Sequence, residues 1–269
     1  MSDSAAVDVY ASWRRTIGSQ PFILGHRGAR HAAPENTLAA FELARDEGAD
    51  GIELDVRLDR DGNVVVIHDA TLERVSVTND SRRVDQLSRA ELDAIDVGDG
   101  ERVPNLRRVL SFCQQHSLRV NVELKSDLHP ELRAQAVQHL RLVQGCAALV
   151  RDLQSPGDFV LFSSFNPLLV ALLHRLVPAV PGAWLVHEGQ PRMLQAIKRR
   201  GARAALGLNA VHPQGKMTDA DLVSALHSQG SVVNVWTVND SDEARRLDAA
   251  GVDALISDCP GQLRESLNA

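Results

Sequence analysis

The chain has 269 residues, 44% hydrophobic and 24% charged, a balance that suits a globular protein with room for a large core. Its formal net charge of −6 argues against a broad nucleic-acid surface, which needs clustered Lys and Arg, but leaves room for a small anion held by local cations. The three cysteines, Cys113, Cys146 and Cys259, are odd in number and lack CxxC spacing, so no disulfide framework is expected and a reducing compartment is favoured.

The first 21 residues lack the apolar stretch of a signal peptide, and no run is long enough to span a membrane, so a soluble cytoplasmic protein is expected. FILGH (22–26) reads as the first strand and leads to a helix over 35–48, and GIELDVRL (51–58) is the second strand. From Ala70 to Glu101 the sequence is charged and fits no repeat, so it reads as an insertion. A helix over 105–116 precedes RVNVELK (119–125), and one over 130–144 precedes FVLFSSF (159–165). The series continues with helix 167–176, AWLVH (183–187), helix 191–200, RAALGL (203–208) and helix 218–229. It ends with VVNVWTV (232–238), helix 241–250 and DALIS (253–257). Gly48, Gly201, Gly230 and Gly251 fall where helices should end.

Strands alternating with helices imply parallel pairing through crossovers. Eight units in about 250 residues fit a closed α/β barrel, the (β/α)8 TIM architecture. It would span 20–262, with residues 70–101 as a small inserted subdomain after the second strand. An open doubly wound sheet is the runner-up, but no GxGxxG follows the first strand.

In GIELDVRL, Ile52, Leu54, Val56 and Leu58 alternate with Glu53, Asp55 and Arg57, so strand geometry puts Glu53 and Asp55 on one face. RVNVELK repeats the scheme, with Asn121, Glu123 and Lys125 opposite Val120, Val122 and Leu124. In a barrel the apolar set would pack on helices and the acids would converge near the mouth, where a hard divalent cation would hold them ionised together. The competing reading is a structural ion network with Arg27, Arg57 or Lys125. His26 ends the first strand at the expected catalytic face. Asp61-Gly62 is a hairpin signal that folds His68 back toward the acids. A two-residue turn places His68 opposite Asp55, whereas a three-residue loop with a Gly bulge slips the register by one. Two histidines beside a cation suit general base and general acid.

The segments GHRGAR, PENT, DGIELDVRLDRDG, IHD, VELK, SSF, VWTVND and DALISDCP occur in order from Phe22 to Pro260. Together they resemble the glycerophosphodiester phosphodiesterases. The resemblance implies hydrolysis of a small glycerophosphodiester to an alcohol and sn-glycerol 3-phosphate, with neither nucleic acid nor membrane insertion. It also implies one divalent cation, Mg2+ or Ca2+ with Mn2+ as a further candidate, held by Glu53, Asp55 and Glu123. His26 and His68 become the acid–base pair, Arg27 and Lys125 the phosphate-binding cations, and Trp236 the aromatic beside the glycerol. VTNDSRRVDQL stands where family members often carry a Thr/Gly-rich segment.

Other features read more blandly. Pro34-Glu35-Asn36-Thr37 reads as a helix start, although Asn36 could brace the site. Ser163 and Ser164 lack a nucleophile elbow, and Asp258-Cys259-Pro260 reads as the closing turn. Two other functions remain open: a lyase or phospholipase-D-like cleavage giving a cyclic phosphate, and a non-catalytic phosphodiester-binding barrel.

Overall fold

The computed structural model of the chain describes residues 8–126, 132–190 and 200–269. The first strand, β1 (Phe22–His26), leads to helix α1 (Leu38–Asp46), then β2 (Gly51–Leu58) and the short β3 (Val64–Val66). Helices α2 (Arg89–Ala94) and α3 (Leu106–Gln115) precede β4 (Arg119–Leu124). Helix α4 (Leu132–Arg151), β5 (Val160–Ser164), α5 (Pro167–Leu176) and β6 (Gly182–Val186) follow. Next come α6 (Arg200–Leu206), β7 (Ala210–Pro213), α7 (Ala220–His227), β8 (Val232–Val235), α8 (Ser241–Ala250), β9 (Ala254–Ser257) and α9 (Pro260–Asn268). Eight strands pair in parallel, and the β1–β2 pairing closes them into a barrel, with β3 added antiparallel to β2. This is the TIM architecture expected from the strand–helix alternation.

Parity along the strands explains where each side chain goes. Ile52, Leu54, Val56, Val120, Val122 and Leu124 join the core beneath the helices, whereas Leu24, Leu161, Ala183, Ala210, Val232 and Ala254 fill the barrel interior. The alternate set that faces inward nearer the mouth includes Glu53, Asp55 and Glu123. Helix starts follow side-chain capping, because the first backbone N–H groups of a helix lack internal partners. Thr37, Ser88, Asn105, Asp219 and Asp240 each accept a backbone N–H three residues on. Gly48, Gly230 and Gly251 have φ of +80°, +77° and +87° and stop helices where expected.

Three sequence expectations are corrected. RAALGL (203–208) does not form a strand: it belongs to α6 and the turn after it, and the seventh strand is Ala210–Pro213. A short apolar run cannot by periodicity alone choose between helix and strand, and a strand holding a buried histidine and a proline carries little apolar signal. Gly201 accordingly lies inside α6, and Gly207, with φ +70°, ends it. Third, Glu35 and Asn36 precede the helix, which starts at Leu38. The helix expected over 191–200 falls almost wholly outside the described residues, as do the first two residues, 130 and 131, of the helix expected over 130–144.

The β2–β3 turn takes the second of the two alternatives. Asp59 N donates to Asn63 O, and Gly62 has φ +87°, so Arg60-Asp61-Gly62 form a three-residue loop. Val56 therefore pairs with Val66, and Ile67 N bonds Asp55 O at 2.9 Å. Ile67 rather than His68 faces Asp55 in the ladder, and His68 follows just beyond it. In the 70–101 segment, Leu72, Val84, Leu87 and Leu92 build a small core against Val65 and Ile67.

The base of the barrel is closed by residues that carry no strand or helix pattern. Tyr10 and Trp13 are buried and pack on the interior cluster. The Tyr10 hydroxyl donates to Gly182 O at 3.0 Å and accepts Gly182 N at 3.1 Å and Asn209 N at 3.0 Å. Tyr10→Phe would remove the acceptor of two backbone N–H groups at the starts of β6 and β7, the one at Gly182 buried. A loss of about 1–3 kcal/mol in unfolding free energy is expected, read from urea transitions with an unchanged m-value.

Candidate active site

Glu53 and Asp55 come from β2 and Glu123 from β4, where Asp55 and Glu123 are register partners. All three are buried, with Asp55 only 1% exposed, and each offers an oxygen within 4.8 Å of the others. Lys125 Nζ lies 2.8 Å from Glu123 Oε1 and 3.2 Å from Asp55 Oδ1, and Arg27 Nε lies 3.2 Å from Asp55 Oδ2. Asn36 Nδ2 donates to Asp55 Oδ2 at 2.9 Å, while Asn36 Oδ1 accepts Asp55 N. Asn36 reaches that position from a left-handed backbone, φ +59°, just ahead of α1. Asn36 thus braces Asp55 in addition to preceding the helix.

The three acids are not equivalent. Asp55 is buried, but Lys125 and Arg27 hold its carboxyl below the usual carboxylate range. Burial, together with the charges of Asp55 and Glu123, drives the Glu53 carboxyl well above that range. Among the described residues Glu53 has no lysine or arginine at ion-pair distance, and the basic group beside it is His26 Nε2 at 3.9 Å. Burial raises Glu123 as well, Lys125 opposing. This is the signature of a site short of positive charge. Cation–oxygen bonds of about 2.0–2.6 Å span roughly 4.0–5.2 Å across one ion, so the spacing of these oxygens suits a single hard divalent cation. The donor set is all oxygen, as such an ion requires.

His26 and His68 both line the cavity of about 300 Å³ above the acids, with Arg27, Lys125 and Trp236. The structure thus brings together all eight residues singled out in the sequence. Each histidine also has a carboxylate partner that the sequence reading did not assign. His26 Nδ1 lies 2.6 Å from Asp258 Oδ1, and His68 Nδ1 lies 2.6 Å from Asp69 Oδ1. A ring held this way keeps its Nδ1–H on the carboxylate and leaves Nε2 as its other proton-exchanging nitrogen. Burial lowers the His68 pKa below its usual value, Asp55 opposing and Lys125 and Arg27 assisting.

Trp236 follows β8 and donates from Nε1 to His212 O at 2.8 Å. Phe165 meets it edge-to-face, centroids 5.5 Å apart, making an apolar wall on the cavity. Phe165 entered the sequence reading only as part of SSF, and Asp258 only as a turn residue. The Asp258 signal was available in parity: two residues beyond Ile256, it shares that residue's inward face.

A buried carboxyl raised in the folded state binds protons that the unfolded chain would release. Its destabilisation is therefore absent below the unfolded pKa and grows as pH rises toward the folded value. EDTA-treated Glu53→Gln protein should melt above EDTA-treated wild type at about pH 8, with the gap shrinking toward pH 4. Added divalent ion should raise the wild-type melting temperature and leave the variant nearly unmoved. Thermal scans at both pH values check this.

Residues 26–262 match the model of the glycerophosphoryl diester phosphodiesterase family. A Bacillus altitudinis glycerophosphodiester phosphodiesterase is 33% identical over 256 residues, covering 88% of this chain and 94% of that protein. A solved structure from Silicibacter pomeroyi superposes with a TM-score of 0.85 at 27% identity, covering 96% of each chain. An Oleispira antarctica phosphodiesterase solved with the product sn-glycerol-3-phosphate has a TM-score of 0.77 at 25% identity, covering 93% of this chain and 98% of that one. By sequence over nearly its whole length and by fold, the chain belongs to the glycerophosphoryl diester phosphodiesterase family.

Proposed function

We propose that the chain hydrolyses glycerophosphodiesters to an alcohol and sn-glycerol 3-phosphate, with Glu53, Asp55 and Glu123 holding Mg2+ or Ca2+ and with His26 and His68 moving the protons. The observation that carries this reading is the pairing of both histidines with carboxylates at 2.6 Å on the rim of one cavity that also contains the acid cluster. The product bound in the Oleispira relative supports the substrate class.

When bound, the cation supplies positive charge to phosphoryl and hydroxyl oxygens as negative charge builds there. Arg27 and Lys125, half-buried beside the acids, add guanidinium and ammonium donors for the phosphate. Trp236 and Phe165 present an apolar face to the glycerol carbons. His26, as neutral base, takes a proton from the nucleophile at Nε2 while Asp258 holds Nδ1–H. His68, as acid, gives its Nε2 proton to the leaving alkoxide while Asp69 holds the other nitrogen. Burial alone draws the His68 proton off, but the anionic phosphodiester beside it acts in the opposite sense and favours the imidazolium.

His68→Ala should cut kcat on glycerophosphocholine by about 10²–10⁴-fold while leaving metal affinity nearly intact. A nitrophenyl diester, whose alcohol leaves without a proton, should recover much of that loss. His26→Ala should show no such recovery. Turnover in both variants with both substrates, with metal titration by calorimetry, tests the assignment. Equal recovery in the two would defeat it, and full activity after EDTA treatment would defeat the metal role.

A further inference from the structure

One chain of ion pairs runs from one histidine to the other. Asp258 Oδ1, which meets His26 Nδ1, lies 3.1 Å from Arg30 Nε, and Arg30 Nη1 lies 3.4 Å from Glu35 Oε2. On the other side, Asp69 Oδ1 meets His68 Nδ1, and its Oδ2 accepts Arg74 Nε at 2.6 Å. Arg74 closes on Glu35 with both terminal nitrogens, Nη1 to Oε2 at 2.8 Å and Nη2 to Oε1 at 2.7 Å. Glu35 Oε1 also accepts Arg27 Nη1 at 2.9 Å. Glu35 is thus a joint among three guanidinium groups, and Arg74 reaches it from the 70–101 segment.

Such a joint has a mechanical purpose. Asp69 and Asp258 are partly exposed, and an unbraced surface carboxylate turns readily toward water. Arg74 holds one oxygen of Asp69, which keeps the other on His68. For Asp258, Asn239 Nδ2 holds Oδ2 at 2.8 Å, while Arg30 Nε fixes Oδ1 itself, the oxygen that meets His26. A planar guanidinium joins two carboxylates through donors in a fixed fork, whereas an ammonium on a flexible stem leaves their relative orientation loose.

We propose that Arg30 and Arg74 are positioning residues of the phosphodiesterase reaction, joined through Glu35, each fixing the carboxylate that orients one histidine. This rests on the reading of His26 and His68 as the proton-transferring pair. It makes two side chains outside the acid cluster, one of them from the insertion, part of how the two proton transfers are kept apart.

The test compares Arg30→Ala, Arg74→Ala and Arg74→Lys with His26→Ala and His68→Ala, on glycerophosphocholine and on a nitrophenyl glycerophosphodiester. Loss of a group that orients a reacting histidine typically costs roughly 10–100-fold in activity. Arg74→Ala should lose that much in kcat on glycerophosphocholine with KM nearly unchanged, and Arg74→Lys should regain part of it. Its response to the leaving group should copy that of His68→Ala, and Arg30→Ala should copy His26→Ala. In the His68→Ala background, Arg74→Ala should cost little more. Equal loss on both substrates in Arg74→Ala while His68→Ala discriminates between them, or full additivity in the double variant, would overturn the inference. If His68→Ala itself fails to discriminate, its role as acid falls, but non-additivity still decides whether Arg74 acts through it.

Discussion

Three carboxylates buried within 4.8 Å of one another are the constraint around which this molecule is arranged. Repulsion among them and loss of hydration both oppose the charged state, so the fold must supply positive charge or the acids must take up protons. It supplies some: Lys125 and Arg27 reach Asp55, and Lys125 reaches Glu123. Among the described residues Glu53 has no such partner, and burial together with the charges of Asp55 and Glu123 drives its carboxyl above the usual range. The ion network and the cation site are therefore not competing explanations. The network stabilises two of the acids, and the remaining deficit is what a divalent ion would fill.

The barrel is what makes this arrangement possible. Parallel strands deliver their C-terminal ends to one rim, so side chains far apart in sequence meet there without long loops. Inward parity on β2 and β4 sets the acids, the end of β1 sets His26, and the residue after β9 sets Asp258 beside it. His68 arrives differently, on the return arm of the β2–β3 hairpin, and the same excursion leads into the segment that carries Arg74. Closure of the opposite end by Tyr10 and Trp13 leaves the rim as the open face of the barrel.

Much of this was legible in the residues. Alternation in GIELDVRL and RVNVELK puts the acids on one face, because period-two geometry is rigid and the apolar set is unmistakable. The hairpin was legible to within one residue, since the loop length and the Gly62 conformation decide the register and composition does not. The seventh strand was missed because Ala210–Pro213 holds a buried histidine and a proline, while the helix before it looks more apolar. Arg30 and Arg74 escape for another reason: their roles lie in contacts to Asp258 and Glu35 from segments distant in sequence, while Asp69, although next to His68, carries no pattern that says its carboxylate turns onto the ring.

The central claim is that the burial of Glu53, Asp55 and Glu123 is sustained by a cation. A crystal structure of the protein soaked with Mn2+ and glycerol 3-phosphate, with anomalous data at the manganese edge, tests it most directly. One strong anomalous peak bonded to oxygens of all three acids is expected, with the phosphate beside Arg27 and Lys125. A peak elsewhere, or none, with Glu53 still buried and uncompensated, would contradict it.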